Sequence, residues 1–279
     1  MPSLASPGLS LSAAVSWGAA DFSGGIAAKS TNAIRVVALA HAVGLLFMLS
    51  LALITREPIP RTASFLWGLL AGLIGGIGLA AFYKALAIGT MGINAPLSAV
   101  ITAVLPLIFG VWTQGLPRAI QLIGFALALL SIWLITIQPG ATERSKGLGL
   151  AVVAGFGFSG FLLFIRLAGS EAVFWPLVSA RAASVALMSV IVAMSRDGWK
   201  PSRSAVPYIV VAGILDSGAN ALFVAAAQRG RLDVAAVLSS LYPASTVILA
   251  RFVLNERLSR MQSVGMFAAL IAVVLIAAR

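Results

Sequence analysis

Residues 71–103 read AGLIGGIGLAAFYKALAIGTMGINAPLSAVITA, and residues 212–244 repeat them in altered form as AGILDSGANALFVAAAQRGRLDVAAVLSSLYPA. A shift of 141 residues aligns the two stretches without a gap, and ten of the 33 positions are identical. Identities at glycine, phenylalanine and serine are the informative ones in so apolar a chain, namely Gly72/Gly213, Phe82/Phe223, Gly89/Gly230 and Ser98/Ser239. This self-similarity predicts an internal duplication.

The composition is that of a protein dissolved in lipid. Of the 279 residues, 60% are hydrophobic and only 10% are charged, and the mean hydropathy is +1.04. Soluble domains carry roughly 25% charged residues, so this chain cannot cover a globule with solvated charge. The net charge of +11 comes from basic residues at the ends of apolar runs. Such residues are typical of anchors to lipid headgroups, which makes the lipid bilayer the expected partner and excludes nucleic acid.

The apolar runs predict an all-α polytopic membrane protein with ten transmembrane helices. A spanning helix needs about 20 mostly apolar residues, and the runs are too uniformly apolar for barrel strands. The predicted spans are 8–28, 33–55, 63–83, 92–114, 118–138, 147–167, 173–195, 204–227, 233–254 and 260–278. The longest polar join, 138–146, is the natural hinge between repeats. The predicted domains are therefore residues 1–141 and 142–279, with five spans each, and an odd number of spans inverts the second repeat relative to the first.

The charge distribution leaves the orientation open. With the N-terminus inside, the inner joins hold seven Lys and Arg residues and the outer joins hold ten. That count runs against the usual excess of positive charge on the cytoplasmic side. The first residues carry no positive segment, so no cleaved signal peptide is expected.

Residues in both copies carry a family resemblance. In the second copy a helix proline, an acid at the next join and a Gln-Gly opening of the last helix stand in one frame at Pro243, Glu256, Gln262 and Gly265. The first copy keeps the Gln and Gly as Gln121 and Gly124. This pattern resembles the EamA-type repeat of the drug/metabolite transporter superfamily, and Trp17-Gly18 resembles the start of its first helix.

The resemblance covers essentially the whole chain, with two departures in the first copy. Gly115 stands where Glu256 would map, and Thr102 stands where Pro243 would map. The nearest group is that of the YddG-type bacterial exporters of aromatic amino acids. The resemblance implies export from the cytoplasm across the bacterial inner membrane, with both termini cytoplasmic.

Acids inside the spans are the first candidates for chemistry, because an ionisable residue in a membrane is costly. Asp216 lies near the middle of span eight, and Asn220 follows on the same helix face. One interpretation is a site for a substrate amine or a proton; the other is a structural carboxylate paired with Arg181 on span seven or with neighbouring hydroxyls. Asp21, four residues after Trp17, is interpreted either as a second coupling or charge-pair residue or as an interfacial carboxylate.

Proline and small polar residues predict broken helices beside a cavity. Proline removes a backbone hydrogen bond, and a broken helix exposes carbonyl and amide groups to a polar substrate. The expected helix-breaking gates are Pro96, Pro106 and Pro243, and the polar substrate-binding groups beside them are Asn94, Ser98 and Ser239. The alternative is a packing kink whose freed backbone groups are satisfied by hydroxyls.

Aromatic residues are expected to bind the apolar part of a substrate. The candidates are Trp17, Phe82, Tyr83, Phe158, Phe161 and Tyr242. The shift pairs Trp17 with Phe158, so that equivalent aromatics from both repeats would face one cavity. The alternative is contact with lipid or with a neighbouring helix. His41 in span two has no second ligand at helical spacing, so a hydrogen-bonded structural role is expected rather than metal binding.

These features favour a secondary transporter that exports small amphipathic metabolites, best amino acids including aromatic ones, by alternating access. The alternatives within carriers are multidrug efflux and transport of phosphorylated or nucleotide-linked sugars. An intramembrane enzyme is disfavoured because the chain has no cysteine and one histidine. A channel is disfavoured because no ring of like charges is visible. No cofactor and no metal are expected, proton coupling is left open, and the carrier is expected to work as a monomer.

Overall fold

The computed structural model describes residues 5–89, 91–136, 146–195, 198–253 and 260–277. Over these residues the chain forms α-helices and no strands, which confirms the all-α prediction. The helices are α1 (Ala5–Ser30), α2 (Ala33–Ile54), α3 (Thr62–Ile88), α4 (Met91–Gln114), α5 (Ala119–Thr136), α6 (Leu148–Ala168), α7 (Phe174–Met194), α8 (Val206–Arg229), α9 (Leu232–Ser239), α10 (Tyr242–Val253) and α11 (Arg260–Ala277). Most of the predicted hinge, 138–146, and Glu256 lie outside the described residues.

Six helical segments are long and apolar enough to cross a bilayer, and they show a multi-pass membrane protein. They are Ala33–Ile54, Thr62–Ile88, Leu97–Gln114, Leu148–Ala168, Phe174–Met194 and Val206–Arg229, and Ala119–Leu134 is a shorter apolar helix. Large apolar side chains such as Leu46, Val190 and Phe267 lie exposed on the outside of the bundle. Such surfaces are favourable only in lipid. Small and polar residues face the interior, because close helix contact in a membrane requires them.

The two repeats pack mainly against each other. Helix α1 lies along α8, and α6, the equivalent of α1, lies along α3, the equivalent of α8. Two glycines mark equivalent contacts. A Cβ at Gly72 would overlap the carbonyl oxygen of Ala180 on α7, and a Cβ at Gly213 would overlap that of Ala40 on α2. The exchange of partners between equivalent helices is what a two-fold relation between the repeats produces.

The ninth predicted span is two helices rather than one. Helix α9 ends at Ser239, and α10 begins at Tyr242, with Pro243 in its first turn. The amide of Leu241 bonds the carbonyl of Leu238 at 3.3 Å, so the last turn of α9 tightens before the break. Proline fits the first turn of α10 because its missing N–H would have no partner there.

Helix α4 is continuous through residues 96 and 106, so the predicted helix breaks at Pro96 and Pro106 are wrong. The physical reason is clear at Pro106, which cannot donate to the carbonyl of Thr102. The hydroxyl of Ser159 on α6 donates to that carbonyl at 3.0 Å. The Ser159 hydroxyl oxygen also accepts a hydrogen bond of 3.3 Å from the amide of Leu105. A side chain of the second repeat thus replaces the hydrogen bond that proline removes from the first.

Polar contacts join the repeats at one end of the bundle. The Glu57 carboxylate, between α2 and α3, accepts the amides of Val173, Phe174 and Trp175 at 2.7, 2.8 and 3.0 Å. It therefore caps the N-terminus of α7, where a negative charge is favourable. At the same end the guanidinium of Arg231 donates to the carbonyls of Gln114 and Gly115 at 3.1 and 2.7 Å.

Candidate functional site

A cavity of about 60 Å³ lies in the middle of the bundle, between helices of both repeats. This volume holds several water molecules or a compact solute. Side chains from α1, α2, α3, α4, α6, α7, α8 and the break between α9 and α10 form its wall. They are Trp17, Asp21, His41, Gly72, Gly75, Gly76, Leu79, Thr102, Phe158, Phe161, Leu162, Ala180, Arg181, Ser184, Asp216, Asn220, Ser240 and Tyr242.

One side of the cavity is a charged network built on Asp216. The Arg181 guanidinium donates from Nη2 to Asp216 Oδ2 at 2.5 Å. The amide of Asn220 donates to the Asp216 backbone carbonyl at 2.8 Å and to Oδ1 at 3.4 Å. Nε2 of His41 lies 3.7 Å from Oδ2, and Nδ1 shares a hydrogen bond of 2.6 Å with Ser184 Oγ. Helices α2, α7 and α8 are thereby joined across the repeats.

Several polar groups at the cavity have unused hydrogen-bonding capacity. Nε of Arg181 and Oγ of Ser240 are buried without a partner in the described part of the chain. The residues themselves are only 4% and 2% exposed. The Asp21 carboxylate, 8% exposed, forms neither a hydrogen bond nor an ion pair with any described residue. Since buried polar groups in proteins are normally paired, these groups are candidates to bind a ligand.

Aromatic side chains form another part of the cavity lining. Four of the predicted aromatic residues line the cavity, namely Trp17 on α1, Phe158 and Phe161 on α6, and Tyr242 on α10. Phe82 is fully buried behind this wall rather than in it, with its ring edge-on to Phe158 at 5.4 Å and to Tyr242 at 6.5 Å between centroids. Phe82 therefore supports the wall, which corrects its expected place on the cavity surface.

Four other predicted residues also lie away from the cavity surface. Tyr83 is buried, and its ring lies over Gly24, where a Cβ would overlap it. Asn94 donates to the carbonyls of Ala85 and Lys146 at 3.0 and 3.1 Å, which ties α4 to α3 and to the join before α6. The hydroxyl of Ser239 donates to the carbonyl of Ser10 at 3.2 Å, and Ser98 is fully buried within α4. Asn94, Ser98 and Ser239 were expected at the cavity because they lie near a proline in the sequence, and Tyr83 was expected there because it is aromatic.

The structure adds residues that sequence reasoning had not assigned to the site. Arg181, His41 and Ser184 line the cavity. A signal for the first two was present, because each is an ionisable residue deep inside an apolar run, and such residues usually face a bundle interior. Within the described residues no three side chains among His, Asp and Glu are grouped to hold a metal ion.

Comparison with known proteins identifies the architecture. The model of the EamA-like transporter family matches residues 7–137 and again residues 145–278. Among curated proteins none matches the chain. A solved structure titled "Crystal structure of protein" superposes with a TM-score of 0.80 at 16% identity, over 100% of this chain and 99% of that one, and so shows the same fold. Because the family model matches both halves, the chain belongs to the EamA-like transporter family, within the drug/metabolite transporter superfamily.

Proposed function

We propose that this protein is a secondary transporter of small amphipathic molecules that carry an ammonium group, foremost amino acids with aromatic or large apolar side chains. One observation supports this choice above others. The central cavity combines an aromatic wall with two carboxylates and a single guanidinium. A molecule with a cationic end and an apolar end complements both sides.

The charge of the cavity favours a cationic group. When ionised, Asp21 and Asp216 contribute two negative charges, and Arg181 is the only Lys or Arg among the described lining residues. With the imidazole neutral, the lining carries one net negative charge. A charge in a membrane interior is costly until it is neutralised by a counterion. An ammonium group beside Asp21 would supply that counterion.

The aromatic wall favours an apolar or aromatic side chain. Trp17 on α1, Tyr242 at the start of α10, and Phe158 and Phe161 on α6 line the cavity. Pairs of aromatic rings contribute about 0.5–1.5 kcal/mol beyond their buried area. Trp17 is itself supported by Phe223 at 5.9 Å between centroids. A rigid wall of this kind binds flat apolar groups at low entropic cost.

Transport would proceed by alternating access around this cavity. The two repeats meet there, and equivalent helices exchange partners across it. A two-repeat carrier in which each repeat has an odd number of spans is inverted, and rocking of one repeat against the other exposes the site to each side in turn. Glycines such as Gly72, Gly76 and Gly78 give the close helix contacts along which such motion occurs.

Binding of a proton would allow the empty carrier to return to its starting orientation. When the substrate leaves, the Asp21 carboxylate has no partner among the described residues, and a proton is the smallest group that neutralises it. Substrate ammonium and proton would then compete for Asp21, which produces antiport. This direction fits export from a bacterium, and the resemblance to bacterial exporters supports the inner membrane as the location.

Phosphorylated sugars fit this cavity less well. A phosphate group needs several free cationic or N–H donors. Among the described lining residues Arg181 is the single guanidinium, and Asp21 would repel a dianion.

The test is uptake by proteoliposomes that contain the purified protein. Labelled phenylalanine, tryptophan, leucine and glycine are supplied with and without an imposed pH gradient. Saturable uptake of the large apolar amino acids that increases with the gradient is expected. If none of these amino acids shows saturable uptake, the proposed function is refuted.

A further inference from the structure

Arg181 uses only part of its hydrogen-bonding capacity. A guanidinium has five N–H donors in a planar fork that matches the two oxygens of a carboxylate. Among the described residues Arg181 donates a single bond, from Nη2 to Asp216 Oδ2. Its Nε has no partner within the described part of the chain; the residue is 4% exposed and lines the central cavity. The pair is therefore monodentate where the chemistry allows two parallel bonds.

Asp216 has other partners that would hold it if Arg181 were withdrawn. The amide of Asn220 lies 3.4 Å from Oδ1. His41 Nε2 lies 3.7 Å from Oδ2 and is itself without a hydrogen bond in the described residues. Ser184 fixes the opposite nitrogen of that imidazole at 2.6 Å. Loss of the Arg181 bond would thus leave Asp216 beside two polar groups rather than in an apolar wall.

We infer that Arg181 is the receptor for the carboxylate of the substrate, and that Asp216 occupies it in the empty carrier. An entering carboxylate would bind the guanidinium through Nε and Nη2 and displace Asp216 towards His41 and Asn220. The substrate ammonium would then lie between Asp216 and Asp21. This inference deepens the proposed function, on which it rests, by assigning the zwitterionic end of an amino acid to named groups.

The arrangement also selects against simpler analogues. An amine without a carboxylate leaves Asp216 on Arg181 and gains only Asp21. An acid without an ammonium displaces Asp216 but leaves both acids unneutralised. A site built to hydrogen-bond a group rejects a ligand that lacks it, because the site's own buried groups are then unpaired. The zwitterion satisfies the whole set.

The test measures binding to the full-length protein in lipid nanodiscs by calorimetry, independently of transport. The probes are 3-phenylpropionate, which has the carboxylate alone, phenethylamine, which has the ammonium alone, and inorganic phosphate. The variants are Arg181→Gln, Asp216→Asn and the double variant that carries both changes. The double variant guards against misfolding, because it removes both members of the buried pair and leaves no orphan charge.

We expect Asp216→Asn to bind 3-phenylpropionate several-fold more tightly than the unaltered protein, because the internal competitor has become neutral. Arg181→Gln and the double variant should bind it at least about tenfold more weakly, the loss of a charged hydrogen bond. Phenethylamine should bind Arg181→Gln at least as well as the unaltered protein. Arg35→Gln is the matched control and should change nothing, because Arg35 lies outside the cavity and donates to the Lys200 carbonyl.

Three results would overturn the inference. The first is that both variants without Arg181 bind 3-phenylpropionate with unchanged affinity. The second is that Asp216→Asn does not bind 3-phenylpropionate. The third is that the unaltered protein binds phosphate as tightly as 3-phenylpropionate. The transport assay separates the two proposals. Amino-acid uptake together with Arg181-independent carboxylate binding removes the subsite and keeps the function. Arg181-dependent carboxylate binding without amino-acid uptake removes the function and keeps the subsite.

Discussion

The guanidinium of Arg181 and the carboxylate of Asp216 form a largely buried ion pair between helices α7 and α8, and both residues line the central cavity. The side chains are 5% and 14% exposed. Removal of one partner of such a pair leaves an uncompensated charge, which typically costs about 3–5 kcal/mol. The pair therefore connects the stability of the bundle to the chemistry of its site.

The first prediction concerns this pair. Asp216→Ala should lower the free energy of unfolding by about 3 kcal/mol or more, because Arg181 is left buried without a counterion. The combined variant Arg181→Met with Asp216→Ala should recover most of that loss. Thermal unfolding in detergent, followed by tryptophan fluorescence, measures both. Equal destabilisation by the single and the combined change would show that the pair does not act as a unit.

The second prediction concerns helix contact at Gly72. A Cβ there would overlap the backbone carbonyl of Ala180, which cannot move as a flexible side chain can. Gly72→Ala should therefore destabilise the protein by about 1–3 kcal/mol, as overpacking does. Gly149→Ala is the control, because a Cβ at Gly149 meets no atom within 4 Å. If both variants melt at the temperature of the unaltered protein, the contact is not tight.

The third prediction concerns the Glu57 carboxylate that caps α7. Glu57→Ala removes the acceptor for three backbone amides and should cost about 1–2 kcal/mol, the upper range for a helix cap. Glu171→Ala is the comparison, because the pair between Arg61 and Glu171 lies at the surface, with side chains 84% and 38% exposed. Exposed pairs contribute about 0–1 kcal/mol. A greater loss in Glu171→Ala than in Glu57→Ala would contradict this assignment.

The fourth prediction concerns proton coupling at Asp21. Asp21→Asn keeps the size of the side chain but cannot exchange a proton. Net uptake driven by an imposed pH gradient should fall to the level without a gradient, whereas exchange of labelled for unlabelled substrate should persist. Both fluxes are measured in the same proteoliposomes. Persistence of the gradient effect in Asp21→Asn would assign coupling to another group or to none.

The sequence predicts the duplication and the helical class because both depend on local pattern. Matches such as Gly72/Gly213 survive in the repeat because the same close contact occurs twice, at Ala180 and at Ala40. The acids inside the spans could likewise be selected from the sequence, because an ionisable residue inside an apolar run is costly and therefore marks a candidate site. Asp21 and Asp216 both line the cavity.

The remainder depends on distant parts of the chain. Helix α4 is unbroken at Pro106 because the Ser159 hydroxyl, on the other repeat, donates to the carbonyl that the missing proline amide would have bonded. This contact cannot be predicted from the sequence around Pro106. Phe82 lies behind Phe158 rather than beside it, because α3 is enclosed by α6 and α7. The pairing of Arg181 with Asp216 was one of the interpretations that the sequence left open, and the structure places the two side chains in contact.

The most direct test of the central claim is exchange of labelled phenylalanine across proteoliposomes, compared between the unaltered protein and Phe158→Ala. Phe158 lines the cavity and has no part in the charged network. The predicted result is saturable exchange by the unaltered protein and about tenfold weaker apparent affinity for phenylalanine in the variant, the loss expected of a buried aromatic contact. Saturable exchange with the same affinity in both proteins, or no saturable exchange in either, would contradict the claim that this cavity carries the substrate.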